Sequence, residues 1–391
     1  MEKTSLYIHI PFCQHRCSYC DFNTYAGQEG RIPAYIEAIC SEITRVALSA
    51  GAKLPVHTVY FGGGTPSLLS SVQIDRILSA IDAVFDLLPD AEITLEANPG
   101  TVCLAYLSDL KSLGVNRISY GMQSANSGEL RLLDRQHSTF DVAQSVAWAR
   151  AAGFDNLSLD LIYGLPGQTL ALWQHSLKTA IALHPDHLSM YALTIEPGTL
   201  LFRRSRQGLL PQIDDDLAAE MYEYASDTLE SSHYHQYEVS NWAQRGCDGL
   251  LKACLHNMQY WRNRPYLGFG AGAHGYANGR RTANVNGILA FVKRCHEGQV
   301  GPFPVGPAAD QVIIVDQQAE MQETMMVGLR LIEEGVSPAG FRARFGLTID
   351  EVFGKEIDGL VASGLLTKNS TIRLTKRARL IANQVFRQFI T

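Results

Sequence analysis

Residues 5–22 read SLYIHIPFCQHRCSYCDF, a short apolar run that stops at a proline and is followed at once by three thiols, Cys13, Cys17 and Cys20. The β-branched and aromatic content of 5–10 predicts a strand, and Pro11 predicts its end. Similar runs recur at 58–61, 92–97, 117–121, 156–162 and 187–193. Between them, apolar residues at helical spacing predict helices over 34–49, 71–88, 104–113, 140–152 and 170–183. Six β–α repeats predict a parallel sheet, which must be covered on both faces or curl. Six units are too few to close an eight-stranded barrel, so the expected fold is α/β, a partial and open (β/α)6 barrel. In such folds ligands gather at the carboxyl ends of the strands. The segments PFC, GGGTPS, EANPG, MQS and YGLPGQ all fall there.

The pattern changes after about residue 200. A helix is expected over 214–232, a strand over 235–239, a Gly-, His- and aromatic-rich segment over 256–276, and a helix over 287–296. The Gly- and Pro-punctuated stretch 300–307 reads as a linker. Helices over 318–334, 337–345 and 349–363, a two-stranded ribbon within 365–374 and a last helix over 375–389 then describe a winged-helix-like domain. The expected division is 1–200 for the partial barrel, 201–300 for a small α+β extension and 301–391 for the C-terminal domain.

The chain has 391 residues, 46% of them apolar, enough for more than one core. No run reaches the ~18 apolar residues of a membrane span, and MEKTSLYIHI lacks the features of a signal peptide, so a cytosolic protein is expected. Eight cysteines in a chain of this length are too sparse for a disulfide framework in a reducing compartment. A net charge of −6 without a basic block gives no electrostatic footprint for nucleic acid, which is not expected as a partner. The basic residues of 375–389, Lys376, Arg377, Arg379 and Arg387, read as the solvated face of an amphipathic helix.

Thiolates three and then two residues apart can converge on one cluster from a single loop and leave a fourth corner free. Structural zinc claims four ligands, commonly from paired CxxC units, whereas iron–sulfur clusters use close loop spacings. Plain buried thiols and a zinc site remain the alternatives. With Tyr19 before the third cysteine, CxxxCxxC resembles the radical SAM superfamily, whose [4Fe–4S] cluster binds S-adenosylmethionine at its open iron. Gly62-Gly63-Gly64-Thr65-Pro66 is similar to that superfamily's GGGTP motif, where glycines let the backbone approach a small zwitterion.

In order and spacing, YIHIPFCxxxCxxC, YFGGGTPS, EANP, GVNRISYGMQS, DLIYGLPGQT and YEVSNWA resemble one family. It contains oxygen-independent coproporphyrinogen III oxidase (HemN) and the heme chaperone HemW. The resemblance implies that Tyr7, Tyr19, Gly63, Gly64, Thr65, Glu96, Gln123, Arg135 and Asp160 lie at S-adenosylmethionine positions. Taken singly, Glu96 at a strand end is as readily solvated, Gln123 and Asp160 can pair with backbone, and Arg135 can lie exposed.

Three features distinguish the branches. Only five residues precede the strand at Leu6, where the oxidase has an extension, and Phe22 stands where the oxidase has a further cysteine. A third is HNMQYW at 256–261, which matches the HNxxYW motif of the chaperones. That resemblance makes His256 the expected heme ligand, since imidazole is a good axial ligand and Tyr260 and Trp261 suit a flat macrocycle. Cys254 is either a second iron contact or a buried thiol. His274 lies in GAGAHGY without an assigned role, and His233 and His235 are expected to face solvent. The reading is a chaperone passing heme to respiratory membrane proteins, as monomer or homodimer, in transient contact with the inner membrane face. The alternative is a radical enzyme decarboxylating porphyrinogen propionates.

Overall fold

The computed structural model describes Glu2–Ile390. Strands β1 (Thr4–Ile10), β2 (Pro55–Gly63), β3 (Asp86–Ala97), β4 (Arg117–Gln123), β5 (Leu157–Tyr163) and β6 (His187–Ala192) lie side by side in that order. Every neighbouring pair is parallel. Helices α1 (Ile32–Ser49), α2 (Ser71–Val84), α3 (Leu104–Ser112), α4 (Ser127–Leu132), α5 (Thr139–Ala151) and α6 (Leu170–Ala182) fill the crossovers. Leu6, Ile8, Ile10, Val59, Phe61, Leu95, Ile118 and Leu159 share one face of the sheet by register and have no exposed surface, so that face is fully covered. Ile36, Ile39 and Ile43 of α1 and Ile74, Ile77 and Ile81 of α2 supply part of that cover.

Three local differences from the sequence expectation have physical causes. Helix α2 stops at Val84 instead of running to 88, because Leu87 pairs with Val56 in the sheet and Pro89 disfavours a helical Leu88. A seventh parallel strand, β7 (Tyr266–Phe269), joins the free side of β1 from a segment with no strand signal. Gly268 hides it: a Cβ there would stand 1.9 Å from the His274 carbonyl oxygen of the neighbouring strand His274–Ala277, so the packed backbone excludes any side chain. The expected linker at 300–307 is packed instead. Pro304, Gly306 and Pro307 are buried, and Gly306 lies against Val46 and Glu42 of α1.

Cα packing groups the chain into two units. One comprises the chain to Ala225 with Pro265–Ile313; the other comprises Ser226–Arg264 with the chain from Ile314. This partition cuts across the three consecutive segments expected. Residues 265–300 go with the parallel sheet, whereas HNMQYW goes with the C-terminal helices.

The second unit holds the antiparallel strands His235–Glu238 and Asn241–Ala243 and the helix Leu255–Trp261. With them are helices Gln317–Gly328, Pro338–Phe345 and Ile349–Ala362 and the ribbon of Leu366–Lys368 with Ile372–Leu374. Met325, Leu329, Phe341, Ile357, Leu366, Ile372, Val385 and Phe389 form its core. The helix expected to reach 334 ends at Gly328 because the next residues turn to sheet-like pairing: Leu331 bridges Glu238 and Ile332 N donates to Tyr237 O. The last expected helix is broken into tight turns over Lys376–Ile381, one α turn over Ala382–Phe386 and another tight turn over Arg387–Phe389. Its basic residues are partly engaged, Lys376 with Asp227 and Arg379 with Gln236.

Candidate functional site

The loop after β1 is clamped on both sides. Phe12–Cys13 pairs with Tyr25–Ala26, and Tyr25 N donates to Pro11 O at 2.7 Å. Between the last two cysteines Ser18 anchors the loop, its N donating to Leu133 O and its Oγ to Leu132 O. The GGGTP turn closes from the other direction, with Gly64 N donating to Ile10 O and Thr65 N to Phe12 O. Thr65 Oγ1 reaches Cys13 Sγ at 3.6 Å.

All eight cysteines are free thiols. Burial pushes the Cys13 and Cys20 thiols up, and in both cases the neighbouring thiols add to the shift. Cys13 feels the charge of Cys17 and Cys20, and Cys20 that of Cys17; among the described residues no group of three His, Cys, Asp or Glu side chains is arranged to hold one ion. Three free thiols on one clamped loop, with no fourth in it, are a donor set that an iron–sulfur cluster takes.

Above the strand ends the other expected residues assemble. Gly63 has φ +110°, a left-handed conformation, and a Cβ there would stand 2.4 Å from the His9 ring; at Gly64 it would meet Phe12 O at 2.7 Å. The freed backbone meets Glu96: Gly63 N donates to Oε2 at 3.1 Å and Tyr60 OH to Oε1 at 2.8 Å. Burial raises the Glu96 carboxyl to about 7 against those two donors. Tyr7 stacks on Tyr60, and its hydroxyl bonds His9 Nδ1 at 3.0 Å; burial and then the Glu96 charge push that hydroxyl's pKa up.

Arg135 ties the cysteine loop to the strand ends. Its Nη2 donates to Asn98 Oδ1 and Gly121 O, both at 2.7 Å, and its Nη1 to Cys17 Sγ at 3.6 Å. Its Nε is buried with no partner, a donor placed for an acceptor the chain does not supply. Asp160 takes Ser119 Oγ at 3.2 Å on both oxygens, and burial raises its carboxyl despite that help. Gln123 is left-handed at φ 63°, which turns its side chain back over Gly121. The Tyr19 hydroxyl is pushed up chiefly by burial and feels Arg135, Cys17, Cys20 and Asp160, so it lies among them. A cavity of ≈ 270 Å³ opens beside the loop, lined in part by Cys17, Thr65, Asn98, Arg135 and His137. The orphaned Arg135 donor beside this cavity suits the carboxylate of a small zwitterion, while Gly63 and Gly64 are required by the close packing of the His9 ring and the Phe12 carbonyl. Every residue expected for the cluster and S-adenosylmethionine therefore lies in one unit.

Sequence reasoning overlooked His9, Tyr60, Asn98 and the buried Arg117, whose charge works against the burial-driven rise of the Glu96 and Asp160 carboxyls. The motifs YIHIP, YFGGG and EANP contained the first three, but only the fold aims them.

His256 belongs to the other unit, on the helix Leu255–Trp261. It is 1% exposed, with its Nε2 2.7 Å from Tyr260 OH and the two rings edge to face at 4.9 Å. Cys254 is equally buried, and its N donates to Tyr237 OH at 3.3 Å. His274 is exposed on a strand of the sheet unit.

Residues 7–180 match the radical SAM superfamily, and 315–381 match the HemN C-terminal domain. The chain is 37% identical to the heme chaperone HemW of Bacillus subtilis (strain 168) over 388 residues, 99% of each chain. It belongs to the HemW family. The heme chaperone HemW of Escherichia coli (strain K12) is 37% identical over 397 residues, covering 100% of this chain and 99% of that one. Among solved structures, coproporphyrinogen III oxidase (HemN) from Escherichia coli superposes with a TM-score of 0.83 at 24% identity, covering 100% of this chain and 90% of that one; the likeness is one of fold. The radical SAM superfamily implies a [4Fe–4S] cluster and S-adenosylmethionine, and Cys13, Cys17, Cys20 and the strand-end residues are the groups here that suit them. Among the described residues no helix is long and apolar enough to cross a membrane.

Proposed function

We propose that the protein is a heme chaperone, holding a [4Fe–4S] cluster and S-adenosylmethionine in the sheet unit and heme at the HNMQYW segment. The observation that carries this reading is full-length kinship with proteins named heme chaperone HemW. Phe22, 62% exposed two residues after Cys20, supports it against the oxidase reading, because the resemblance places a further cysteine there in the oxidase. Cys13, Cys17 and Cys20 would hold the cluster, which when bound supplies an open iron and an electron to S-adenosylmethionine.

The chain's own groups do the positioning. Glu96, with both oxygens already accepting, is placed to orient hydroxyl donors, and it does so best above about pH 7, where it is ionised. Arg135 offers its bare Nε to a carboxylate while its other nitrogens fix the cysteine loop. For heme, His256 Nε2 is the ligating atom, so Tyr260 OH must first leave it. The acceptors are respiratory membrane proteins, met from the cytosol at the inner membrane face.

The test is heme titration of anaerobically reconstituted protein, wild type against His256→Ala. The variant is expected to lose the ligand-dependent Soret shift and to bind at least tenfold more weakly. Unchanged spectra and stoichiometry would remove His256 as ligand. Conversion of coproporphyrinogen III to protoporphyrinogen IX by the wild type would replace the chaperone reading with the enzymatic one.

A further inference from the structure

In the second unit, strand His235–Glu238, the helix that carries His256 and the turn after Gly328 meet at one side chain, Arg330. Its Nη2 donates to Glu238 Oε2 at 3.0 Å and lies 3.5 Å from Ser240 Oγ. Glu238 has a fully buried side chain and also accepts from Ser240 N and the Asn241 amide. The guanidinium carbon sits 4.2 Å from the centre of the Trp261 ring, a cation laid against an indole. Arg330 Nε and Trp261 Nε1 are both buried without a partner. The Arg330 side chain keeps 21% of its surface exposed.

An ion pair that only neutralised Glu238 would need the Nη2 bond alone. Leaving two further donors bare on neighbouring groups is costly to the folded state, and an incoming acceptor would offset it. The donors are those of a planar fork and an indole N–H, the set that suits a carboxylate carried on a flat aromatic body. Glu238 and Trp261 fix the fork in advance, so little freedom is lost on binding. Trp261 follows His256 by five residues on one helix, about 7–8 Å along its axis and about 140° round it, at the helix end where Arg330 lies against it.

We propose that Arg330 and Trp261 form a carboxylate-binding edge that receives a propionate of the porphyrin held at the HNMQYW segment. The proposal rests on the heme reading above. The ion pair with Glu238 persists, and the remaining nitrogens of the guanidinium, with the indole N–H, turn to the ligand.

The experiment compares the full chain's affinity for hemin and for hemin dimethyl ester, in wild type, Arg330→Met and the double variant E238Q/R330M. The double variant removes the buried carboxylate that Arg330→Met alone would strand, and circular dichroism checks that it folds. Wild type is expected to prefer the free acid by about tenfold or more, and both variants to lose that preference by weakening for the acid while holding the ester. Equal affinity of wild type for the two ligands overturns the proposal with no variant needed, and so does a preference that survives in the folded double variant. Both of those outcomes leave the heme reading standing. Binding of neither ligand by wild type removes the heme reading and this edge together.

Discussion

The parallel-sheet unit and the C-terminal unit build their sites in different ways. In the first, one repeated geometry does the work. Each strand delivers a residue to the same edge, and sheet register lines them up: Ile10 opposite Gly63, Glu96 opposite Ser119, Asp160 opposite Ser189. The result is an assembled site with a bare donor on Arg135 and a cavity beside Cys17. In the second, a seven-residue helix is pinned by side chains from far along the chain. Arg262 pairs with Glu334 at 2.7 Å, Asn263 Nδ2 reaches Thr324 Oγ1 at 3.1 Å, and Arg330 covers Trp261. There the candidate ligand is shut, because His256 is buried with its Nε2 on Tyr260. On the proposed reading the difference teaches that the first site stands open to a ligand, whereas the second would have to exchange an internal hydrogen bond for one.

The strongest way to break this contrast is to strip one unit and look at the other. Replacing Cys13, Cys17 or Cys20 with Ala is expected to abolish the cluster, read as loss of bound iron and sulfide, while hemin uptake persists. Loss of both together would mean that the two sites are not separate. Cys295→Ala, at a buried thiol outside the loop, is expected to keep its full iron.

A smaller effect tests how firmly the sheet unit is fixed. Glu42 of α1 accepts Gly270 N at 2.9 Å and Asn284 Nδ2 at 2.7 Å, and burial raises its carboxyl from an ordinary 4.5 to about 8. The folded chain keeps that proton over a range in which the unfolded chain has lost it. Stability from this group is therefore full below about 4.5 and falls as pH rises toward 8, by on the order of a few kcal/mol. Urea unfolding of wild type and Glu42→Gln across that window is expected to show the flatter slope in the variant; parallel curves would show that Glu42 is ionised in the fold.

The smallest expected effect sharpens the comparison most. Tyr260→Phe deletes the hydroxyl that occupies His256 Nε2. If the closed helix opposes ligation, hemin affinity rises by about fivefold, the worth of one hydrogen bond of ~1 kcal/mol. A fall in affinity would mean that Tyr260 aids binding and that the closed state is the receptive one.

Periodicity and turn chemistry made the sheet unit readable. Alternation of strand runs with helical stretches located six of the seven parallel strands, and the glycines of 62–64 marked a backbone that must come close to something. Cys13, Cys17 and Cys20 stood out by their loop spacing, whereas Glu96 and Asp160 were named only through the family resemblance, because an acid within a strand carries no signal of its own; Asp160 in fact lies mid-strand in β5. Three features were out of reach for stated reasons: β7, whose Gly268 removes the strand signal; the packed 300–307 stretch, whose composition is that of a linker; and the left-handed Gln123, which no residue preference announces.

By itself the sequence determined the β–α order, the three-thiol loop with no fourth cysteine in it, and the HNMQYW motif, because each is written in local spacing. Only the tertiary structure decided that Arg135 reaches from Cys17 to Asn98, that His256 is closed by Tyr260, and that Arg330 lies over Trp261. Apart from the His256–Tyr260 pair, one helical turn apart, these contacts join residues dozens of positions apart. Their partners are chosen by which surfaces bury together, a choice that no short window of sequence contains.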